Sequence, residues 1–500
     1  MKHESLWRAD APAMRTTRAL PREVEVVVVG AGITGLTAAL LLKRAGKRVA
    51  VLEREHVGSG ETGNTSAHLT CITDYRLSTI ADRFGRDAAR AVWGGGNVAI
   101  DLIESLVGEL AIDCGFARVP AFQCAPFFED ESDTTALRED AGLAAALGFD
   151  ARFVERGPIA GAAALSMPDQ AVIHPLRYIA ALARAVEGDG SMIIERCEVS
   201  QVIQDPLTVV ANGENIVCSD VIIATHIPIV GSASLLGATL FQTKLYPYSS
   251  YVIGARIGDS VAPGLYFDTS NPYWYLRVHE DAEGRYAVFG GADHKTGQET
   301  DTAENYVRVQ RALLELVPDA RIERRWSGQV VETSDGLPFV GATAAHQYAA
   351  TGFAGNGLTF GTLSALVMHD AILGGENPWR ELFDPHRKSA APGVLKTFLA
   401  ENVDYPKYYI ADRLRRNRSD GVDTVKPGEG KVLTIGGKPV ACSRASDGTL
   451  TKVSAVCTHM GCLVRWNGAE RTWDCPCHGS RFTSGGLVTG GPAEAALETM

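Results

Sequence analysis

The first regular pattern in the sequence begins near residue 23, where apolar residues first alternate with polar ones and then form an unbroken run. Val24 is followed by the run from Val26 to Val29, which is too short and too β-branched for a helix and predicts a buried strand. A helical segment from Leu36 to Arg44 comes next, and a second apolar strand ends at Leu52. The pattern therefore predicts a strand–helix–strand unit that begins an α/β domain.

The turn of this unit carries glycines at the spacing that suits a dinucleotide. Gly30, Gly32 and Gly35 follow the order G-x-G-x-x-G, Ile33 within this turn is a further candidate cofactor contact, and Glu53 stands 18 positions after Gly35. These glycines allow a tight turn, a close approach to a pyrophosphate and close packing of helix on strand. The helix N-terminus attracts the phosphates, and the acid accepts hydrogen bonds from a ribose. The alternative is an ordinary glycine-rich turn with a solvated glutamate.

Two further stretches predict parts of a binding site. The segment from 58 to 68 is rich in small residues and could run past a flavin, and we include Arg54, Thr62 and Ser66 as candidate contacts. The second stretch lies between a strand and a long apolar helix, where it predicts an element that binds anions and dipoles. Its candidate residues are Gly352, Gly355, Asn356, Gly357, Leu358 and Thr359.

The middle of the chain, from Leu245 to His294, has many tyrosines interspersed with polar residues, which predicts antiparallel strands of a separate sheet. An aromatic sheet over a flavin would line a substrate pocket. We expect Tyr251 and Tyr275 to contact substrate and Arg277 to grip a carboxylate. The alternative is a half-exposed sheet whose arginine is solvated. No acid or base stands out, so the catalytic residues are not assigned.

Composition limits the classes of partner. The 48 basic and 59 acidic residues give a net charge of −11, and no basic cluster is long enough to follow a nucleic acid backbone. The uncharged run from Val26 to Leu42 is marginal for a membrane span, and the strand–helix reading accounts for it. The N-terminal segment lacks the apolar core of a signal peptide. We therefore expect a cytoplasmic protein without a transmembrane segment.

The order of these motifs resembles the D-amino-acid oxidase superfamily of FAD oxidoreductases, which includes glycine oxidase and sarcosine oxidase. The resemblance covers roughly residues 24–383 and rests on GAGITGL, HP, IIAT, TSDGLPFVG and ATGFAGNGLTFG. It implies a two-lobed enzyme that takes a hydride from a carbon beside an amine nitrogen. It also implies that Val199, Ala224 and Thr225 border FAD. No cysteine stands just upstream of the DGLP motif, so we expect FAD to be non-covalent.

The C-terminal region carries a second, independent motif. Cys457 and His459 form C-x-H, and Cys475 and His478 form C-x-x-H on a second loop, which is the ligand set of a Rieske [2Fe–2S] centre. A structural zinc site is the alternative, although zinc sites favour closer cysteine spacing. Cys462 and Cys477 match the disulfide that joins the two loops in Rieske proteins of respiratory and photosynthetic cytochrome complexes.

Two positions depart from the Rieske proteins of cytochrome complexes. Those proteins usually have a tyrosine two residues after the serine that matches Ser480, and it donates a hydrogen bond toward the cluster. Phe482 stands here, so we expect a lower reduction potential. The chain also ends at Met500, where that family normally adds a final strand, so we expect the domain to be trimmed or completed by other contacts.

These observations predict an α/β Rossmann-type FAD-binding domain with an antiparallel substrate sheet, followed by a small all-β Rieske domain. We expect a disordered arm at 1–21, the flavin domain at 22–385, a connector at 386–425 and the Rieske domain at 426–500. Within the flavin domain, the FAD-binding parts are expected at about 22–75, 150–235 and 320–375. The substrate-binding parts are expected at about 76–149 and 240–319.

The two predicted centres suggest how electrons move. The leading hypothesis is a dehydrogenase in which an amine or amino acid reduces FAD, and electrons leave singly through the Rieske cluster to an external acceptor. The whole chain also resembles bacterial Rieske-containing FAD oxidoreductases of unassigned substrate. The main alternative is an electron-transfer component between a reductase and an oxygenase. Residues 54–430 contain no second G-x-G-x-x-G that directly follows an apolar strand and opens a helix, which argues against direct use of NADH. A redox sensor is a third possibility.

Overall fold

The structure is a computed structural model of the whole chain. It describes residues 2–12, 14, 16, 19–128, 134–228, 243–387, 394–402, 408–409 and 421–500. Most of the expected connector at 386–425 lies outside the described residues.

The described residues form 25 strands and ten α-helices. The strands, in chain order, are β1 Lys2–His3, β2 Glu23–Val29, β3 Val49–Leu52, β4 His68–Leu69, β5 Ala117–Cys124, β6 Arg152–Val154, β7 Ala164–Val172, β8 Met192–Ile194, β9 Val199–Ile203, β10 Thr208–Ala211, β11 Glu214–Ile223, β12 Leu245–Ile257, β13 Gly264–Asp268, β14 Tyr275–Asp281, β15 Gly284–Lys295, β16 Arg321–Thr333, β17 Phe339–Ala344, β18 Gln347–Thr351, β19 Gly430–Ile435, β20 Lys438–Arg444, β21 Leu450–Ser454, β22 Arg465–Asn467, β23 Thr472–Asp474, β24 Arg481–Thr483 and β25 Val488–Gly490. The helices are α1 Leu6–Ala9, α2 Ile33–Arg44, α3 Leu77–Phe84, α4 Arg86–Glu109, α5 Thr135–Ala146, α6 Pro175–Val186, α7 Thr302–Leu316, α8 Gly357–Leu373, α9 Arg380–Phe383 and α10 Val394–Asn402.

The first sheet contains the predicted strand–helix–strand unit. Its described strands run in the order β17-β18-β11-β2-β3-β8, and β10 and β9 extend from β11. The pairs β2–β3, β11–β2, β3–β8 and β11–β18 are parallel, as expected when helices connect the strands. Val26 to Val28 are fully buried, because helices cover one face and apolar residues of β9–β11 cover the other. The predicted Rossmann-type domain is confirmed.

The second sheet is larger and mixed. Ten described strands run in the order β1-β16-β12-β15-β14-β13-β5-β7-β4, with β6 beside β7. The central strands β12 to β15 are antiparallel, as predicted, whereas β13–β5 and β1–β16 pair in parallel. Strands β7 and β16 belong to this sheet, although both lie in stretches assigned from sequence to FAD-binding parts. The chain crosses between the two sheets more often than the sequence pattern indicated.

The expected disordered arm is wrong for its described part. Strand β1 pairs with β16, and α1 buries Trp7 to 1% exposure. The indole Nε1–H of Trp7 donates to the carbonyl oxygen of Thr65 at 2.6 Å, and the hydroxyl of Ser5 donates to the carbonyl of Gly63 at 2.6 Å. This segment is held in place because the ring of Trp7 is buried against the loop that contains Gly63 and Thr65.

The C-terminal domain consists of two small antiparallel sheets, β19-β20-β21 and β22-β23-β24-β25. Its core is built around Trp473 and Phe482, both fully buried, and around Cys457 and Cys475. The predicted all-β domain is confirmed. Near the chain end, Leu497 is buried in this core and Val453 forms a bridge with Thr499. In the described part of the chain, no helix is both long and apolar enough to cross a membrane.

Candidate functional site

The glycine-rich turn has the geometry that a dinucleotide requires. Gly30 has a φ of +102°, and a Cβ there would lie 2.6 Å from the carbonyl oxygen of Ala224. A Cβ on Gly35 would lie 2.0 Å from the carbonyl oxygen of Gly30, so only glycine lets α2 approach β2 this closely. The Ala31 N–H donates to Glu53 Oε2 at 2.9 Å. Glu53 thus lies directly at the mouth of the turn, and burial raises its pKa.

The second glycine-rich element closes the opposite end of the cleft. The N–H of Gly355 donates to Asp74 Oδ2 at 2.7 Å, and Gly357 begins α8. The side-chain amide of Asn356 donates to Ile72 O at 2.9 Å, and the hydroxyl of Thr359 donates to Thr70 O at 3.3 Å. Asn356 and Thr359 therefore hold the 70–72 segment in place, which is a role that sequence reasoning did not foresee.

The remaining candidate cofactor contacts are divided between the cleft and other roles. Thr62 Oγ1 accepts from the Ile33 N–H at 3.2 Å, so it lies at the start of α2. Ser66 contacts the ring of His68 at 2.9 Å. Arg54 donates to Thr489 O at 3.3 Å, which directs it toward the C-terminal domain. Other candidates are placed as follows: Val199 is buried at the start of β9, Thr225 follows β11 and donates to Ile227 O, Gly352 has a φ of +76° after β18, and Leu358 is buried at the start of α8.

These residues fit FAD. The start of α2 and Glu53 at the end of β3 lie together and suit a pyrophosphate and a ribose, and α8, which packs closely on α2, begins at the glycine-rich element that suits a flavin. Asn356 Oδ1 and His226 Nε2 are enclosed polar atoms without a hydrogen-bond partner among the described residues. A bound cofactor would offer such partners.

The two candidate tyrosines lie on opposite faces of the large sheet. The hydroxyl of Tyr275 shares a hydrogen bond of 2.8 Å with Ser250 Oγ, on the face that lines the cleft. The hydroxyl of Tyr251 bonds to His294 Nε2 at 3.0 Å, and its ring packs edge-on against Tyr306 of α7. Because successive side chains alternate between the faces of a sheet, Tyr251 points away from the cleft. The expectation of substrate contact by Tyr251 is therefore wrong.

Arg277 is neither solvated nor available to a substrate carboxylate. Its guanidinium Nη1 donates to the carbonyl oxygens of Ala67 at 3.0 Å and Ile173 at 2.9 Å, and it lies 4.8 Å above the ring of Trp7. Burial lowers its pKa to about 9. The side chain joins three segments, so both sequence interpretations of Arg277 are corrected.

Three carboxyl groups that sequence reasoning missed face the cleft. Asp74 follows β4, Asp293 lies in β15 and Glu332 lies in β16. Burial, followed by the nearby Asp74, raises the pKa of Asp293 to about 7. Burial, followed by Asp74 and Asp293, raises the pKa of Glu332 to about 8. No local signal marked them, because β15 and β16 carry several other charged residues.

The iron–sulfur motif residues converge at the tips of two similar loops. The rings of His459 and His478 have centroids 5.0 Å apart, and the thiols of Cys457 and Cys475 contact each other. Backbone N–H groups of His459 and Met460 donate to Cys457, which favours a thiolate. Two thiolates and two imidazoles at one place fit a Rieske cluster.

The loops are held together by the expected disulfide. Cys462 and Cys477 are bonded, and Cys475 Sγ lies within 4.8 Å of both of their sulfur atoms. The two loops have matching turns, because Gly461 N–H donates to Cys457 O and Gly479 N–H donates to Cys475 O, both at 3.0 Å. The hydroxyl of Ser480 bonds to Cys457 and also accepts from Ala493 N–H at 3.1 Å.

The second cluster loop lies directly on the large sheet, on the face opposite the cleft. The side-chain amides of Gln298 and Gln329 donate to Pro476 O at 3.1 Å and to Gly479 O at 3.0 Å. A Cβ on Gly297 would lie 2.7 Å from the backbone of Cys475, so the segment after β15 is in direct contact with the second cluster loop. Tyr306 also donates to Glu470 at 2.6 Å. The sheet therefore separates the cleft from the cluster loops.

Comparison with known proteins identifies both parts of the chain. The family model described as FAD dependent oxidoreductase matches residues 25–371, and that of the Rieske [2Fe-2S] domain matches residues 418–500. The chain is similar over its length to the Rieske 2Fe-2S iron-sulfur protein YhfW of Bacillus subtilis. The identity is 30%, over 99% of this chain and 97% of that protein.

More distant similarities concern the two parts separately. Gamma-glutamylputrescine oxidoreductase of Escherichia coli is 23% identical over 78% of this chain and 93% of its own length. The structure of glycine oxidase from Geobacillus kaustophilus has the same fold, with a TM-score of 0.62, 21% identity, and coverage of 74% of this chain and 100% of that one. A cytochrome b6-f iron–sulfur subunit of Nicotiana tabacum is 43% identical over 16% of this chain and 36% of its own length.

Proposed function

Because this chain belongs to the FAD dependent oxidoreductase family and carries a Rieske [2Fe-2S] domain, we propose that it is a dehydrogenase for the C–N bond of an amine or amino acid. When bound, FAD takes a hydride from the carbon beside nitrogen, and a Rieske cluster carries electrons one at a time. The oxidised substrate is an imine, which water hydrolyses to a carbonyl compound and an amine or ammonia. The two electrons leave singly to an external acceptor.

The contact between the second cluster loop and the large sheet carries this proposal. Gln329 lies in β16, and its backbone N–H donates at 2.8 Å to Glu61, next to the Thr62 that caps α2. Its side chain donates to Gly479, the neighbour of the ligand His478. One residue thus joins the loop beside the flavin cleft to the loop of the cluster. This arrangement supports electron transfer within the chain.

The described residues of the cleft orient the substrate rather than react with it. Tyr275, held by Ser250, and Tyr273 form an aromatic wall, with ring centroids 5.9 Å apart. Burial, followed by Asp293, raises the pKa of Tyr275 well above its ordinary value, so its hydroxyl stays protonated. Hydride transfer to a flavin needs orientation and exclusion of water more than proton transfer, and these walls can supply both.

The proposal is tested by anaerobic stopped-flow spectroscopy of the purified holoenzyme against primary amines, N-methyl amino acids and D-amino acids. We expect bleaching of the flavin absorbance, followed by the EPR signal of the reduced cluster. Cys475→Ser, which removes a cluster ligand, should keep the bleaching and lose the EPR signal. If no amine bleaches the flavin, yet a ferredoxin or reductase reduces the protein, the dehydrogenase proposal is wrong and an electron-transfer component remains.

A further inference from the structure

The inner wall of the cleft is acidic, and one of its carboxyl oxygens has no partner. Asp293 Oδ1 is enclosed and makes no hydrogen bond within the described residues, while its other contacts include Ser250. Asp74 is open to solvent inside the cleft and accepts from Gly355 N–H at 2.7 Å. Glu332, on the neighbouring part of the sheet, is close enough for both acids to raise its pKa. A Cβ on Gly355 would lie 2.7 Å from Asp74 Oδ1 and 2.9 Å from the Tyr273 hydroxyl, so Asp74 and Tyr273 meet at the same edge of the cleft.

Nearby cations of the described chain balance the charge of this wall only in part, through Lys295 and Glu332. No cation contributes to the pKa of Asp74 or Asp293. Lys295 acts on Glu332, but its Nζ is paired with Glu401 Oε2 at 2.8 Å. Arg277, the side chain expected to bind a carboxylate, is directed at Ala67 and Ile173 instead. Like charges brought together in this way favour a cationic ligand and repel an anionic one.

The aromatic side chains beside the acids suit the rest of such a ligand. Ser250 joins Tyr275 to Asp293, because its hydroxyl bonds to the Asp293 carboxyl group and, at 2.8 Å, to the Tyr275 hydroxyl. The ring of Tyr273 lies 5.9 Å from that of Tyr275. Aromatic faces bind alkylammonium groups by cation–π attraction and bind methylene chains by apolar contact. A flexible aliphatic chain with an ammonium group at its end matches this combination of carboxylates and rings.

We propose that the cleft selects an amine substrate that carries a second cationic group on an aliphatic chain, such as a diamine or an N-alkylated diamine, and that it disfavours substrates with a carboxylate at that end. The inference rests on the proposed amine dehydrogenase function. Asp293 and Glu332 bind the distal ammonium group, while the amine to be oxidised lies toward the flavin. Asp74 adds negative charge from the loop that contacts Gly355.

The test is calorimetric titration of dithionite-reduced, anaerobic holoenzyme, which binds amines without oxidising them, with three ligands of matched length: 1,4-diaminobutane, butylamine and 4-aminobutanoate. We expect the diamine to bind at least about tenfold more tightly than butylamine, and 4-aminobutanoate to bind most weakly. The preference should increase from about pH 6 to about pH 9, because the carboxyl groups must ionise while the ammonium groups stay charged. Equal affinities, tighter binding of 4-aminobutanoate, or no binding of any ligand would overturn the inference.

Single substitutions test which carboxyl groups cause the preference for the diamine. Glu332→Gln and Asp293→Asn should each reduce the preference for the diamine over butylamine to less than about threefold. Glu323→Gln, on the exposed far end of β16, is the matched control and should keep the full preference. The visible spectrum of FAD reports whether each variant is folded, and the wild-type comparison stands without them.

Flavin bleaching distinguishes this inference from the proposed function. If amino acids bleach the flavin and diamines do not, the dehydrogenase function holds and the cationic selectivity is wrong. If the diamine binds with the expected preference but no amine bleaches the flavin, the dehydrogenase function fails and the cationic selectivity of the cleft is supported.

Discussion

The side-chain amide of Gln329 donates a hydrogen bond of 3.0 Å to the carbonyl oxygen of Gly479, one residue after His478, an expected cluster ligand. The same amide also donates to Thr296 Oγ1 at 3.1 Å, and Gln329 is only 3% exposed. A buried amide with two partners fixes the cluster loop to the sheet that lines the flavin cleft. This bond is one of several direct connections between the two halves of the protein, beside those of Gln298 and Tyr306.

Replacing Gln329 with Leu should loosen this connection. The change leaves the buried carbonyl of Gly479 without its donor, which costs about 1–3 kcal/mol. We expect unchanged bleaching of the flavin by substrate and slower reduction of the cluster, measured by stopped-flow absorbance and freeze-quench EPR. Gln347→Leu, a buried glutamine of β18 in the other sheet, is the matched control and should leave both rates as they are. Equal cluster reduction in both variants would refute the role of Gln329.

Removing one cluster ligand should separate the two cofactors. Cys475→Ser takes away a buried thiolate ligand, so we expect the iron content and the EPR signal to be lost while FAD stays bound. Cys442→Ala removes a buried cysteine of the same domain that lies outside the motif, and it should retain the cluster. Loss of iron in both variants would mean that the domain merely unfolds.

Phe482→Tyr tests the expected low potential of the cluster. Phe482 is fully buried next to Trp473, in the core that surrounds Cys457 and Cys475. A tyrosine hydroxyl there would add a hydrogen bond toward the cluster, worth about 1 kcal/mol, which for a one-electron couple is roughly 40 mV. We expect redox titration monitored by EPR to show a higher potential in the variant. An unchanged or lower potential would contradict the prediction.

Trp7→Ala should destabilise the protein strongly. The ring is 1% exposed and lies under the guanidinium of Arg277, so its loss leaves a cavity and costs about 3–5 kcal/mol of unfolding free energy. Leu487→Ala is the control, because Leu487 is 65% exposed and should change stability by less than about 0.5 kcal/mol. Denaturant unfolding followed by flavin fluorescence measures both. A small effect at Trp7 would restore the interpretation of a disordered arm.

Acid should destabilise the region around Arg277. Burial, with the Arg277 charge, lowers the pKa of His279 to about 3, and burial, with Arg177 and Arg277, lowers that of His174 to about 4. In the unfolded chain both titrate near about 6.5. The unfolded state therefore binds more protons, so the stability is fully present above about pH 6.5 and is lost as the pH falls toward those folded-state values.

His279→Gln should flatten this acid dependence, as measured by thermal unfolding between about pH 7 and about pH 4. His386→Gln, at an exposed histidine, is the control and should have the same pH profile as the wild type. A profile of His279→Gln that still falls as steeply as that of the wild type would assign the acid sensitivity to other groups.

Much of the FAD site and of the cluster site could be predicted because their residues lie close together in the sequence. Gly30, Gly35 and Glu53 lie within one strand–helix–strand unit, so their spacing in sequence determines their spacing in space. Cys457 and His459, like Cys475 and His478, lie on short loops for the same reason. The comparisons confirm the FAD-dependent oxidoreductase, the Rieske domain and their cofactors.

The tertiary structure decided which face of a sheet each side chain occupies and which residues meet across long separations in sequence. Tyr251 and Tyr275 have similar aromatic surroundings in sequence, but register and a bulge in β12 and β15 place them on opposite faces. Arg277 bonds to carbonyl groups more than 100 residues away, and no local pattern encodes such partners. The acidic wall brings Asp74, Asp293 and Glu332 together from three segments, because only the folded sheet and the loop beside it make them neighbours.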